Sequence, residues 1–209
     1  MKRLVLFSEC ANQPYFQEVL KAIFPPEMAK PKFAFIPANG IAACKPKYID
    51  FWRKHANARK ASFFVVDIDP KQKFPSIERQ KIITADIVVI SGGNTLKLAH
   101  MLRQNHMMSA LTKFTHRKQF VLAGYSAGAI LLTPSLRISP FIHNEIQENT
   151  MGNLRGLNLV NYEILPHYSK EKHKKQLEEY QKLTEYPVKP LRDSEFLVHE
   201  LDNIPEKLK

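Results

Sequence analysis

Glycine is scarce in this chain: seven residues in 209, four of them in two tight sets, Gly92-Gly93 and Gly124 with Gly128. Cysteine is scarcer still. Cys10 and Cys44 make no C-x-x-C pair and no disulfide framework, which points to reduced thiols in a cytoplasmic protein. No apolar run approaches the ~20 residues of a bilayer span, so no membrane contact is expected. The opening MKRLVLFSE places two basic residues before LVLF, but Glu9 ends the apolar stretch too early for a leader, and LVLF reads as a first strand. HExxH and Cys/His ligand spacings are missing. Gly92-Gly93 lacks both the GK[ST] ending of a phosphate loop and the G-x-G-x-x-G pattern. No metal ion and no cofactor are expected.

Acidic residues are also in deficit. Twenty Asp and Glu against 31 Lys and Arg leave a formal charge of +11. The basic residues are spread over short clusters at element ends. The densest, Lys170 to Lys175, falls on a helix-like stretch where a solvated face explains it. No recognition motif accompanies the charge, which argues against nucleic acid as partner. With 44% hydrophobic and 24% charged residues, the chain has the make-up of one soluble domain spanning 1–209.

Short apolar runs alternate with helix-like stretches. Strands are expected at 3–8, 32–38, 62–68, 85–93, 119–125 and 157–168, with two short ones at 187–192 and 195–200. Helices are expected at 14–23, 46–60, 95–104, 107–117, from 127 onward, and at 169–183. Residues 134–156 are the least periodic and read as a long surface loop. Continuous runs such as FVVDI and IVVIS suit strands buried on both faces. The alternation predicts an α/β fold: a mostly parallel sheet flanked by helices on both faces.

In such sheets ligands gather at the carboxyl ends of strands. Gly124-Tyr125-Ser126-Ala127-Gly128 lies there and matches G-x-S-x-G, the nucleophile elbow. A sharp strand-to-helix turn exposes the serine Oγ, and side chains two positions either side would collide with the turn. The turn also leaves the Ala127 amide at a helix start, free to hold an oxyanion. An ordinary glycine-flanked turn is the competing reading. Ser91-Gly92-Gly93-Asn94-Thr95 repeats the arrangement after another buried strand. Gly92 or Gly93 offers a second oxyanion donor there, and Asn94 and Thr95 are placed to contact substrate.

A serine nucleophile needs a base oriented by a carboxylate. His100, His106 and His116 fall on helix-like stretches, His55 and His173 in basic ones, His143 in the irregular loop, and His199 near the end. His167 is best placed, after Pro166 at the end of an apolar run. Asp193 is the first choice of acid and Glu195 the second. The order serine, histidine, acid differs from the serine, acid, histidine order of α/β-hydrolases.

SGGNT, GYSAGA and PHY, in this order and spacing, together with FIPAN at 35–39, resemble the S51 peptidase family of dipeptidase E and cyanophycinase-like serine peptidases. The resemblance implies a class I glutamine amidotransferase-like (flavodoxin-like) three-layer sandwich. It implies Ser126 as nucleophile, His167 as base, and Gly93 and Ala127 as oxyanion donors, with the acid open between Asp193 and Glu195. Family members place an arginine after the histidine to bind an aspartyl carboxylate. Here SKEKHKKQLEEY holds none, leaving Lys170, Lys174 or Lys175 as substitutes, without the bidentate fork of arginine.

The expected activity is hydrolysis of short peptides, aspartyl dipeptides among the candidates, through a Ser-His-acid triad and an acyl-enzyme. The expected partners are a small peptide and a second copy of the chain in a homodimer. The rivals are an amidase or esterase acting on a non-peptide substrate, and a non-catalytic binder of acidic ligands or nucleic acid. Serine in place of cysteine at 126 argues against an amidotransferase, as does the lack of a well-placed His-x-Glu pair: His143-Asn144-Glu145 is too close to the elbow, and His167 is followed by Tyr168-Ser169.

Overall fold

The computed structural model describes residues 1–10, 15–143 and 153–201. The strands are β1 (Lys2–Phe7), β2 (Lys32–Ile36), β3 (Ser62–Val65), β4 (Ile87–Ile90), β5 (Phe120–Tyr125), β6 (Glu163–Leu165), β7 (Val188–Pro190) and β8 (Phe196–Glu200). The helices are α1 (Phe16–Ile23), α2 (Pro46–Asn57), α3 (Pro75–Thr84), α4 (Thr95–Gln104), α5 (Met107–Thr115), α6 (Ala127–Leu131), α7 (Ile138–His143) and α8 (Lys170–Gln181). Six strands form one sheet in the order β3-β2-β4-β5-β1-β8, and β6 pairs with β7 in a separate ladder. All pairings within the large sheet are parallel except that of β8 with β1.

The apolar runs of the central strands feed two cores, because successive side chains point to opposite faces. Leu4, Leu6, Ala34, Ile36, Val88, Ile90 and Leu122 join the core under α4, α5 and α6. Val5, Phe7, Phe33, Phe35, Ile87, Val89 and Val121 join the core under α1 and α2. Within the second core Trp52 is fully buried and packs on Phe33, Phe35 and Tyr125. The result is a helix–sheet–helix sandwich, the architecture the alternating pattern predicts.

Three stretches depart from the sequence expectation. No element was expected between residues 69 and 84, yet α3 lies there. Its apolar residues do not share a face: Ile77 is exposed, and only Glu78 and Ile82 are buried. Ile82 and Ile83 anchor it to the core, and polar contacts to the end of β3 add to that: Glu78 accepts from the Asp67 amide at 2.7 Å, and Lys81 donates to the Val65 carbonyl at 3.1 Å. The expected surface loop at 134–156 is partly core. Leu136, Ile138 and Ile142 are buried and α7 forms, while residues 144–152 lie outside the described residues. The strand expected at 157–168 shrinks to β6. Before it, the amides of Leu157, Asn158 and Leu159 donate to the carbonyls of Leu131, Thr133 and Leu132, bonding this segment to the end of α6 rather than to a ladder.

Candidate active site

β1, β2, β4 and β5 end at one edge of the sheet, and the segments after them line a cleft of about 330 Å³. Ser126 stands between β5 and α6 with φ +50° and ψ −115°. Its amide donates to the Phe7 carbonyl at 3.1 Å, tying the elbow to the end of β1. A Cβ on Gly128 would lie 2.3 Å from the Ile90 carbonyl oxygen, and one on Gly124 2.5 Å from the Gly128 oxygen. Both glycines are therefore set by close backbone approach. Gly92 abuts Ser126, since a Cβ there would lie 3.0 Å from the Ser126 Cβ. Gly93, at φ +154°, fits between Ala38 and Asn39.

His167 follows Pro166 beyond β6 and also adopts positive φ, +57°. Its Nε2 lies 3.0 Å from Ser126 Oγ and its Nδ1 2.6 Å from Asp193 Oδ1. The carboxylate accepts Nδ1–H, which leaves Nε2 as the acceptor for the serine O–H. The β6–β7 ladder sets this spacing. Leu165 pairs with Pro190, and two further bonds extend the match: Leu191 N–H to the Leu165 carbonyl at 2.8 Å and Tyr168 N–H to the Leu191 carbonyl at 2.9 Å. Asp193 thus arrives beside the imidazole. Glu195 does not. Its carboxylate accepts from the Arg192 amide at 2.8 Å, closing the turn that carries Asp193.

Other expected site residues scatter. Gly92 and Gly93 line the cleft, and Ala127 opens α6 beside it. Asn94 turns its side-chain oxygen to the Lys97 amide at 2.7 Å and caps α4. Thr95 is buried and accepts from the Ser139 hydroxyl at 2.9 Å, facing the core. Lys170 and Lys174 stand exposed on α8, with Lys174 3.8 Å from Glu178. None of these four side chains lines the cleft. Helix capping and burial have claimed the first two, and α8 turns the lysines to solvent.

Sequence reasoning missed Ser8. Its buried hydroxyl donates to Asp193 Oδ1 at 3.0 Å and accepts the His167 amide at 2.6 Å. The only available signal was its position, one residue past the end of a buried strand. Glu9, Cys10, Asn39, Cys44, Lys45, Tyr48 and Tyr125 complete much of the lining. Burial pushes both thiols above their ordinary pKa, and the Glu9 charge adds to the rise at Cys10, so both are held as neutral, weakly nucleophilic thiols. Burial likewise holds the Tyr125 phenol neutral. Among the described residues no cluster of three metal-ligating side chains occurs, and no helix is long and apolar enough to cross a membrane.

The family model described as peptidase family S51 matches residues 4–204. Proteins named peptidase E from Shewanella denitrificans and a Nostoc species are each 26% identical, over 163 and 174 residues, or 78% and 80% of this chain. Those matches span 64% and 66% of the relatives' own length. Among solved structures, a candidate peptidase E of Listeria monocytogenes superposes with a TM-score of 0.69 at 23% identity, covering 97% of this chain and 100% of that one. A peptidase from an acI-B1 Actinobacterium gives a TM-score of 0.63 at 19% identity, covering 96% and 84%. At such identities these likenesses establish the fold.

Proposed function

The chain belongs to peptidase family S51, and on that footing we propose that it is a serine peptidase of short peptides, with Ser126 as nucleophile, His167 as base and Asp193 as orienting acid. One observation carries the reading: the continuous relay from Ser126 Oγ through both ring nitrogens of His167 to Asp193, at 3.0 and 2.6 Å.

The chemistry follows from that geometry. His167 Nε2 takes the hydroxyl proton as Ser126 Oγ bonds to the scissile carbonyl carbon. The displaced π pair settles on the carbonyl oxygen, where the Ala127 and Gly93 amides donate to it. Collapse breaks the C–N bond, and His167 returns its proton to the departing amine. Water then repeats the sequence on the acyl-enzyme and frees Ser126. Asp193 holds the ring in the correct tautomer and offsets its transient positive charge. The 330 Å³ cleft sits at the small end of ligand pockets, which favours peptides of a few residues.

Labelling with a fluorophosphonate, mapped by mass spectrometry, tests this. We expect modification at Ser126, absent in Ser126→Ala and strongly slowed in His167→Ala. A panel of dipeptides and simple esters then separates peptidase from esterase. Dipeptide hydrolysis that persists in Ser126→Ala would overturn the reading.

A further inference from the structure

Two opposite charges in the cleft play no part in the relay. Glu9 lies one residue past Ser8, which touches both His167 and Asp193, and two residues past Phe7, whose carbonyl holds the Ser126 amide. Its backbone is pinned by the Tyr15 hydroxyl, which donates to the Glu9 carbonyl at 2.5 Å. Its carboxylate raises the pKa of the Cys10 thiol and the Tyr15 phenol, after the larger effect of burial, so the charge stands beside the cleft lining. Lys45, an exposed residue, lines the same cleft on the wall built by residues 37–48, at the start of α2. Among the described residues neither charged group has an ion-pair or hydrogen-bond partner.

We infer that Glu9 binds the free α-ammonium of the peptide substrate and that Lys45 binds a carboxylate of the same molecule. This rests on the peptidase reading and adds its selectivity. A cleft this small, with a negative and a positive group on its walls, complements a short zwitterion. It discriminates against a peptide with a blocked amino terminus, because the carboxylate then meets a neutral amide. The carboxylate that Lys45 meets is either the peptide's terminal one or an acidic side chain.

The test reads binding without turnover. Ser126→Ala, which forms no acyl-enzyme, is titrated calorimetrically with aspartyl-leucine and with N-acetyl-aspartyl-leucine. We expect the free dipeptide to bind roughly 10- to 100-fold tighter, the range of a charged hydrogen bond. Adding Glu9→Gln should erase that preference, and Glu9→Asp should keep part of it. For Lys45, asparaginyl-leucine and aspartyl-leucine amide remove one carboxylate each, and Lys45→Met should abolish the penalty of whichever removal matters. Equal binding of free and acetylated dipeptide, or a preference that survives Glu9→Gln, overturns the Glu9 assignment. Unchanged penalties in Lys45→Met overturn that of Lys45. Failure of fluorophosphonate to label Ser126 overturns the peptidase reading instead, since the titration needs no turnover.

Discussion

Two residues with side chains hold positive φ in the candidate site, Ser126 at +50° and His167 at +57°. Each costs on the order of 1–3 kcal/mol, which neighbouring bonds must offset. Ser126 is held by the Phe7 carbonyl, and His167 by the Ser8 hydroxyl. Ser8 also donates to Asp193, so one buried group is bonded to both His167 and Asp193. Replacing Ser8 by alanine should lower kcat roughly tenfold or more with little change in KM, because it misaligns the relay and leaves the binding walls intact. Steady-state kinetics on a cleaved dipeptide check this. An unchanged kcat would remove Ser8 from the machinery. Gly128→Ala places a methyl against the Ile90 carbonyl and should cost at least about 2 kcal/mol, a Tm drop of roughly 4–8 °C by calorimetry. The elbow glycines and Ser126 were readable as a local pattern, since the turn's steric demand falls on residues close in sequence. Ser8 was not, because its partners are 159 and 185 residues away.

At the scale of elements, the short β6–β7 ladder decides which carboxylate meets the imidazole. Its register carries Asp193 to the imidazole and leaves Glu195 to close the turn. Sequence order could rank the two acids but not separate them, because both lie in the same short turn. α8 was legible as a helix, yet its outward lysines were not. We expect Lys170→Ala with Lys174→Ala to change kcat/KM by less than about twofold, measured on the same dipeptide. β8 carries His199, whose Nε2 lies 2.5 Å from the Tyr162 hydroxyl. Burial pushes that phenol up to about 12, so it remains a donor at neutral pH. Burial first, then Lys189, holds His199 below its ordinary pKa. Protonation would remove the acceptor and loosen β8 from the segment before β6. His199→Phe should therefore flatten the loss of thermal stability between pH 7 and pH 5, followed by circular dichroism.

For the molecule as a whole, burial lowers His55 as well, against Phe51 and Phe16. A histidine with a depressed folded pKa contributes stability above its unfolded value near 6.5 and loses it as pH falls through the folded one. The intact protein should then melt lower at pH 5 than at pH 7. Both rings are partly exposed and screened, which keeps the histidine share small. A Tm that rises on acidification would contradict this.

Class and layering were readable along the chain, because a parallel sheet buried on both faces needs continuous apolar strands, and those runs announce themselves without knowledge of their neighbours. The exceptions are α3, which lacks an apolar stripe, and α7, which is set by its contacts with the core. The serine, its glycine frame and the histidine after a strand were likewise local signals. The choice of Asp193 over Glu195, the bridge through Ser8, the removal of Asn94 and Thr95 to capping and core, and the charges of Glu9 and Lys45 in one cleft came from packing. Each depends on which distant segments meet at the sheet edge, and residue spacing along the chain carries no record of that meeting.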